Sequence, residues 1–175
     1  MKNPQKILQA LLSCLEELRI RYSWISDDGM KDKAVAAFSL DLHGHPCILC
    51  GTFSDPTREI ISIVHEAGHV MIYRELDREE SRAYICSIFA AQGIGINRIS
   101  PDGQECILMI EARASVKGLD LLNRMALSDE ELEIVKRSLS KWYTSYEKHC
   151  HEEVVRKVRE RIMKNGDALF LISHC

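Results

Sequence analysis

The sequence predicts an α+β fold: a mostly helical domain in which a small β-hairpin or sheet comes directly before a central buried helix. Long segments with apolar residues at three- and four-residue intervals predict helices over most of the chain. Between residues 34 and 51, two short apolar segments flank His43-Gly44-His45, which predicts two strands and their turn. The 175 residues, of which 46% are hydrophobic, are enough for one core, so we expect a single domain.

Composition argues against several classes of protein. A net charge of -3 gives no reason to expect nucleic-acid binding. No apolar run approaches the ~20 residues needed to span a bilayer, so no membrane span is expected. Seven cysteines are an odd number without the spacing of a disulfide framework, and Glu16, Glu17 and Arg19 interrupt the apolar N-terminus. We therefore expect reduced thiols in a cytoplasmic protein, whose oligomeric state the sequence leaves open.

The first part of the chain predicts a scaffold. Asn3-Pro4 opens a helix that is expected to reach about residue 22, and a polar connection with an Asp-Asp-Gly turn at residues 27–29 follows it. The hairpin comes next. If one of its strands has an exposed edge, an extended peptide can add to that edge as a further strand.

The hairpin also carries a competing pattern, because four potential zinc ligands lie close together in it: His43, His45, Cys47 and Cys50. A zinc knuckle is disfavoured, since side chains alternate along a strand and the fourth residue would lie on the opposite face from the other three. A redox pair of the two cysteines lacks the βαβ setting of such motifs. Buried cysteines beside a polar turn are the favoured interpretation.

The central helix carries the pattern on which the functional hypothesis depends. Asp55 as N-cap and Pro56 at the first helical position predict where it begins. An H-E-x-x-H pattern at His65, Glu66 and His69 places the two imidazoles on one helix face. Because the rest of this helix is largely apolar, burying these polar side chains would be costly without a partner. A bound metal ion is the simplest such partner.

Three helical segments are predicted after the central helix, at residues 79–91, 104–125 and 128–164, the last with a break near residues 149–151 and an N-terminal capping box. The second has small residues on one face, which allows close helix–helix contact; that face carries Glu111, Ala114, Ser115, Gly118 and Leu122. Residues 168–172 form an apolar segment expected to dock on the body or on a partner chain. The domain thus divides into a helical scaffold (1–33), a catalytic core (34–125) and a helical extension with a tail (126–175).

A catalytic zinc ion needs three protein ligands and an open position for water. No histidine follows His69 within the short window that some H-E-x-x-H proteins use, because position 72 is Ile and position 75 is Glu. The remaining candidates are acidic: Glu75, Glu79, Glu80, Glu105 and Glu111. We favour Glu111 as the third ligand, since it lies well inside a later helix on its small-residue face. Glu105, Glu79 and Glu80 stay open as alternatives.

The H-E-x-x-H pattern with a downstream helical glutamate resembles the gluzincin branch of zinc metallopeptidases. Residues 40–49 (LDLHGHPCIL), 54–58 (SDPTR) and 65–69 (HEAGH) look like ImmA/IrrE-type metallopeptidases, and residues 111–119 (EARASVKGL) are similar to a segment of YugP-type zinc proteases. The resemblance implies a zincin-like fold, Zn²⁺ held by His65, His69 and Glu111, and a peptide or protein substrate, for ImmA/IrrE relatives often a regulatory protein. Arg113 replaces an acidic residue of the YugP-type segment, so the class transfers and the substrate does not.

The sequence therefore predicts a zinc metallopeptidase in which Glu66 acts as general base and then as general acid. An oxyanion stabiliser is expected among several residues between which spacing does not choose: Tyr73, Tyr84, Arg113, Tyr143, Tyr146, His149 and His151. The alternative is a non-proteolytic zinc-binding regulatory or interaction protein that retains the fold. The long C-terminal helix and the apolar segment after it are the features that favour this alternative.

Overall fold

The structure, a computed structural model of the chain, describes residues 3–25, 36–125 and 127–165. These ranges contain six helices and one three-stranded sheet, which confirms the predicted α+β fold. The elements are α1 (Pro4–Glu17), β1 (Arg21–Trp24), β2 (Ala36–Leu40), β3 (Pro46–Cys50), α2 (Pro56–Glu75), α3 (Arg78–Ile94), a 3₁₀ turn (Ile96–Arg98), α4 (Pro101–Leu122), α5 (Asp129–Glu147) and α6 (Glu152–Lys164).

The helix starts follow from their capping residues. The Asp55 side chain accepts a hydrogen bond from the Thr57 amide at the start of α2, with Pro56 in the first turn, as predicted. Ser128 and Glu131 form the predicted capping box of α5. The break expected near residues 149–151 separates α5 from α6.

The first helix is shorter than the sequence predicted, and this is a correction. It ends at Glu17, because the amides of Arg19 and Ile20 bond back to the carbonyls of Glu16 and Leu15 in a Schellman motif. Arg19 takes the left-handed position of this motif with φ 54°, where glycine is usual. The next residues form β1, which the prediction had assigned to helix and polar connection.

The sheet has the order β1-β3-β2. Strands β2 and β3 form the predicted antiparallel hairpin, with Phe38 opposite Ile48, and β1 pairs with β3 in parallel. The Asp41 amide donates a hydrogen bond to the His45 carbonyl. Since alternate residues of an antiparallel strand direct their amides to the same neighbour, the Ser39 amide faces β3 and the Phe38 amide faces the opposite edge of β2. Among the described residues β2 pairs only with β3, so β2 is an edge strand there.

Helix α2 lies at the centre of the core. Every side chain from Glu59 to Val70 along it is buried. The helix packs against α1, the sheet and α4, so its polar residues at positions 65, 66 and 69 lie in the interior.

Two glycines let α2 and α4 pack so closely that their backbones are in contact. A Cβ atom on Gly68 of α2 would lie 1.9 Å from the carbonyl oxygen of Ala114, and one on Gly118 of α4 would lie 2.5 Å from the carbonyl oxygen of Val64. Neither Cβ can be accommodated without moving the backbone. The close helix contact expected from the small-residue face is therefore confirmed, and Gly68 is part of it.

Several other predictions concern features outside this core. Within the described ranges, no helix combines the length and the apolar character needed to cross a membrane. The cysteines of these ranges carry free thiols. The predicted turn at residues 27–29 and the apolar segment at residues 168–172 lie outside the described residues.

Candidate metal centre

The close contact of α2 and α4 brings one side chain of α4 against two of α2. Nε2 of His65 lies 2.9 Å from Oε2 of Glu111 and 3.1 Å from Nε2 of His69. The third edge of this triangle, from Nε2 of His69 to Oε2 of Glu111, measures 3.7 Å. All three side chains are at least nine-tenths buried. Among the described residues this is the only group of three or more His, Cys, Asp or Glu side chains spaced to hold a metal ion.

These spacings suit a tetrahedral zinc ion. Bonds of ~2.0–2.1 Å to nitrogen and oxygen place tetrahedral ligand atoms about 3.3 Å apart, close to the three distances in this triangle. Two neutral imidazoles and one carboxylate are also the donor set of a common class of catalytic zinc sites. The residues present therefore fit the ion that the sequence predicts.

Hydrogen bonds at the other ring nitrogens orient the two imidazoles. The Ser115 hydroxyl donates to the Glu111 carbonyl (3.0 Å), so its oxygen accepts from Nδ1–H of His65 (3.2 Å). This tautomer leaves a lone pair on Nε2, facing Glu111. Nδ1 of His69 lies 2.6 Å from the Tyr84 hydroxyl, and donation of Nδ1–H to it directs the second Nε2 lone pair into the same space. Such outer partners fix the ring orientation of metal-binding histidines.

Aromatic rings close the space around the imidazoles. Trp142 of α5 stacks on His65, with ring centroids 5.1 Å apart and an interplanar angle of 22°. Phe38 of β2 lies against His69 and, edge to face, against Tyr84 of α3. The cluster is therefore surrounded by side chains from α3, α5 and the sheet as well as by its own two helices.

Glu66 lies beside the cluster, without belonging to it. Its Oε2 accepts the outward-facing amide of Phe38 at 2.7 Å, which fixes the carboxylate against the outer edge of β2. Burial raises the pKa of Glu66 above its ordinary value, while the neighbouring imidazoles of His69 and His65 oppose that shift. Of the four side chains, Glu66 is the one that is hydrogen-bonded to the backbone of the edge strand.

The pKa values of Glu111 and His65, the two groups in closest contact, shift in opposite directions. Burial alone would raise the pKa of Glu111, but the imidazoles of His69 and His65 outweigh it and hold that pKa below its ordinary value. Burial alone would lower the pKa of His65, but the hydrogen bond that the protonated ring donates from Nε2 to Glu111, and the charge of that carboxylate, raise it above the ordinary value. Both shifts arise from the attraction between the Glu111 carboxylate and a positive charge on the imidazoles. A positive charge in the space between the three side chains is therefore stabilised.

A cavity of about 260 Å³ reaches the cluster from one side. Its wall contains Glu111, Ile88 and Ala91 of α3, Tyr146 of α5, and His149 of the turn that follows α5. Burial, then the carboxylates of Glu111 and Glu66, raise the pKa of the Tyr146 hydroxyl, so this group stays protonated at neutral pH. Two of the candidate oxyanion stabilisers thus line the approach to the cluster.

The other acidic candidates for the third ligand have different contacts. Glu105 forms ion pairs with Lys157 and Arg161 of α6. Glu80 closes the capping box of α3, and Glu79 lies in the same exposed first turn. Glu75 pairs with Lys117. Among these acidic candidates, the structure brings only Glu111 to the two histidines.

The remaining oxyanion candidates lie elsewhere or have other contacts. Tyr73 packs against Phe38, and Tyr143 is buried between α5 and its neighbours. Arg113 is exposed, and His151 lies at the N-terminus of α6. In the hairpin, Cys47 and Cys50 are buried whereas the histidines of the turn are exposed, so those four residues do not form a zinc knuckle.

Sequence reasoning missed the partners of the two histidines. Ser115 was noted only as a small residue, although it lies four positions after Glu111 and therefore on the same helix face. Tyr84 was considered only as an oxyanion stabiliser, and no functional role was predicted for Trp142. For these two, no signal in the sequence links a residue of α3 or α5 to the central helix.

Comparisons with protein-family models, with curated proteins and with solved structures found no match for this chain. The fold and the site together define the class: an α+β protein with a buried cluster of two histidines and one glutamate between two helices, spaced to hold a metal ion.

Proposed function

We propose that the protein is a zinc metallopeptidase of gluzincin type that hydrolyses peptide bonds of a protein substrate. The observation that carries the proposal is that a separate carboxylate lies beside the His65–His69–Glu111 triangle. This carboxylate, Glu66, is on α2, the helix that also carries the two histidines. When bound by these three residues, zinc would lower the pKa of a water molecule toward ~7 and polarise the scissile carbonyl.

Glu66 is the residue that moves the proton. One of its carboxylate oxygens is held by the Phe38 amide, which leaves the other oxygen to accept a proton from the attacking water. The same carboxylate then delivers that proton to the leaving amine. Burial favours the protonated form of Glu66, which suits a group that must hold a proton between these two steps.

The outer edge of β2 supports a peptide as substrate. Its Phe38 amide points away from β3 and already bonds to Glu66. An extended peptide that pairs along this edge by strand addition would pass directly beside the carboxylate. Main-chain hydrogen bonds would then supply affinity for many sequences, and side-chain cavities would supply selectivity.

Tyr146 is the best-supported group for stabilising the oxyanion. Its side chain lines the cavity that reaches Glu111, and its hydroxyl remains protonated, so it can donate a hydrogen bond to a developing negative charge. His149, in the turn that follows α5, lines the same cavity.

The replacement Glu66→Gln tests the proposal. It removes the proton acceptor and keeps the hydrogen bond from Phe38, so cleavage of casein or of a proteome-derived peptide library should fall about 10²–10⁴-fold. Zinc content, measured on the same sample, should be unchanged. Glu105→Gln, which changes a carboxylate that forms ion pairs with α6 and does not belong to the cluster, is the matched control and should cleave normally. Normal cleavage by Glu66→Gln would refute the mechanism.

One observation favours a second candidate, a zinc-binding regulatory protein without proteolytic activity. The side chains at the cluster are no more than 8% exposed, as in a zinc site that serves only to hold helices together. If the protein binds zinc stoichiometrically and cleaves no substrate in the library, with or without a chelator, this candidate is favoured. For either function we propose a cytoplasmic location, because the free thiols of the described residues suit a reducing compartment.

A further inference from the structure

The candidate site is closed to a peptide in this structure. His65 and His69 are 3% exposed, and Glu111 and Glu66 are 5% and 8% exposed. An extended peptide needs continuous access along the outer edge of β2 and past Glu66. If the protein acts on peptides as proposed above, one element must move to admit them.

Helix α3 covers the site on the side of His69 and the strand edge. Its Tyr84 hydroxyl contacts His69 at 2.6 Å, and the Tyr84 ring packs edge to face on Phe38 of β2. This ring therefore occupies space beside the strand edge along which a substrate would pair. Further along the helix, Ile88 and Ala91 form one wall of the cavity that reaches Glu111.

Among the described helices, α3 also has the fewest buried residues. Of its 17 residues, Tyr84 and Ile88 alone are buried. Its apolar residues Phe89 and Ile94 are about half exposed. The helix ends at Gly95, which has φ +84°, a conformation that suits a pivot between α3 and the 3₁₀ turn. By contrast, α2 and α4 are held together along their backbones by Gly68 and Gly118.

We propose that α3 is the gate of the site. Tyr84 and Ile88 are its two buried side chains, and substrate enters between α3 and α5 when both are released. The cavity bounded by Ile88, Ala91, Tyr146 and His149 then becomes continuous with the strand edge. Ile88 and Ala91 of α3 give it an apolar part, while Gln92, Tyr146 and His149 add polar groups, and this mixture suits an apolar substrate side chain next to the scissile bond.

The chain offers a way to lock this gate. Ser87 Oγ on α3 lies 3.7 Å from Cys106 Sγ on α4, so Ser87→Cys brings two sulfur atoms close enough to form a disulfide after small side-chain rotations. The neighbouring exposed Cys86 is replaced by Ser so that it cannot compete. Cys86→Ser/Ser87→Cys is then compared after oxidation and after reduction with a phosphine. The same protein with Cys106→Ser cannot form the cross-link and is the matched control.

Two readouts separate the gate from the peptidase proposal. The first is casein cleavage by the zinc-loaded protein. The second needs no metal or activity: it is the rate at which diethyl pyrocarbonate modifies His65 and His69 in the metal-free protein, measured by peptide mass spectrometry. Both rates should fall about tenfold or more on cross-linking and recover on reduction, while the control stays unchanged.

The outcomes are distinct. If the cross-link forms and neither rate changes, α3 is not the gate. If labelling falls but no form of the protein cleaves any substrate, the gate stands and the proposed function fails. If the disulfide does not form, native-state hydrogen exchange decides. Amides of α3 should exchange through a local opening well below the free energy of global unfolding. Exchange of α3 only together with α2 and α4 would overturn the proposal.

Discussion

Replacing Gly68 by alanine tests the helix contact that assembles the site. The added Cβ would lie 1.9 Å from the Ala114 carbonyl oxygen, and real Cβ atoms essentially never approach within 3.0 Å. Helices α2 and α4 must therefore separate by about 1.1 Å or more. Since Glu111 lies one helical turn from Ala114, the carboxylate moves away from the two imidazoles with its helix.

Two opposing effects set the expected size of this change. Alanine is favoured over glycine in a helix by about 1 kcal/mol. Overpacking a tight contact costs about 1–3 kcal/mol, and here the atom displaced is backbone. Because backbone cannot rotate away as a side chain can, the upper half of that cost applies, about 2–3 kcal/mol, and we expect Gly68→Ala to lower the free energy of unfolding by about 1–2 kcal/mol. We also expect it to weaken zinc binding by about 100-fold or more, because the ligand triangle opens.

The control is Gly93→Ala in α3, where no atom lies within 4 Å of the added Cβ. It should leave zinc affinity unchanged and the free energy of unfolding unchanged or raised by up to about 1 kcal/mol. Urea unfolding and zinc competition with a chromophoric chelator measure both quantities on each variant. A Gly68→Ala protein with wild-type stability and wild-type zinc affinity would refute the reasoning, since the two helices could not then be in backbone contact.

Three further replacements test other parts of the structure. Tyr84→Phe removes the hydroxyl that contacts Nδ1 of His69, so zinc binding in the chelator competition should weaken about 10–100-fold while circular dichroism shows an intact fold. An unchanged zinc affinity would show that the His69 ring needs no orienting partner. Arg159→Ala leaves the buried Glu147 carboxylate without its bidentate partner and should lower the free energy of unfolding in urea by about 1–3 kcal/mol, whereas no loss would mean that water replaces the arginine. Arg19→Gly relieves a left-handed φ of 54° and should raise that free energy by up to about 1 kcal/mol, and a decrease would show that the arginine side chain stabilises the fold.

The parts of the fold and site that sequence reasoning found depend on local patterns. The cap at Asp55 and the four-residue spacing of His65 and His69 are contained within one helix, so period and capping rules suffice to place them. Glu111 could be chosen because three small residues follow it on its own face, and such a face indicates contact with another helix. The hairpin was recognisable because its two strands are joined by a short turn.

The parts that were missed depend on contacts between distant segments. Strand β1 has four residues and pairs with β3, which lies about 26 positions later, so its own sequence carries little periodicity. Its boundary was also hidden, because an arginine holds the left-handed position at the end of α1, where glycine would have indicated a stop. The Tyr84–His69 contact depends on how α3 turns back over α2, which no spacing rule determines.

The ring of Trp142 has a practical consequence. The chain contains two tryptophans, and only this one stacks on a residue of the candidate centre, His65, whereas Trp24 lies half exposed on β1. Indole emission depends on the charge of an imidazole stacked against it, so loss of a proton from His65 or capture of a cation there should change the light that Trp142 emits. In a Trp24→Phe background, the tryptophan fluorescence comes from Trp142 alone. Its intensity then follows the occupancy of the centre in real time, without substrate, label or assumed activity.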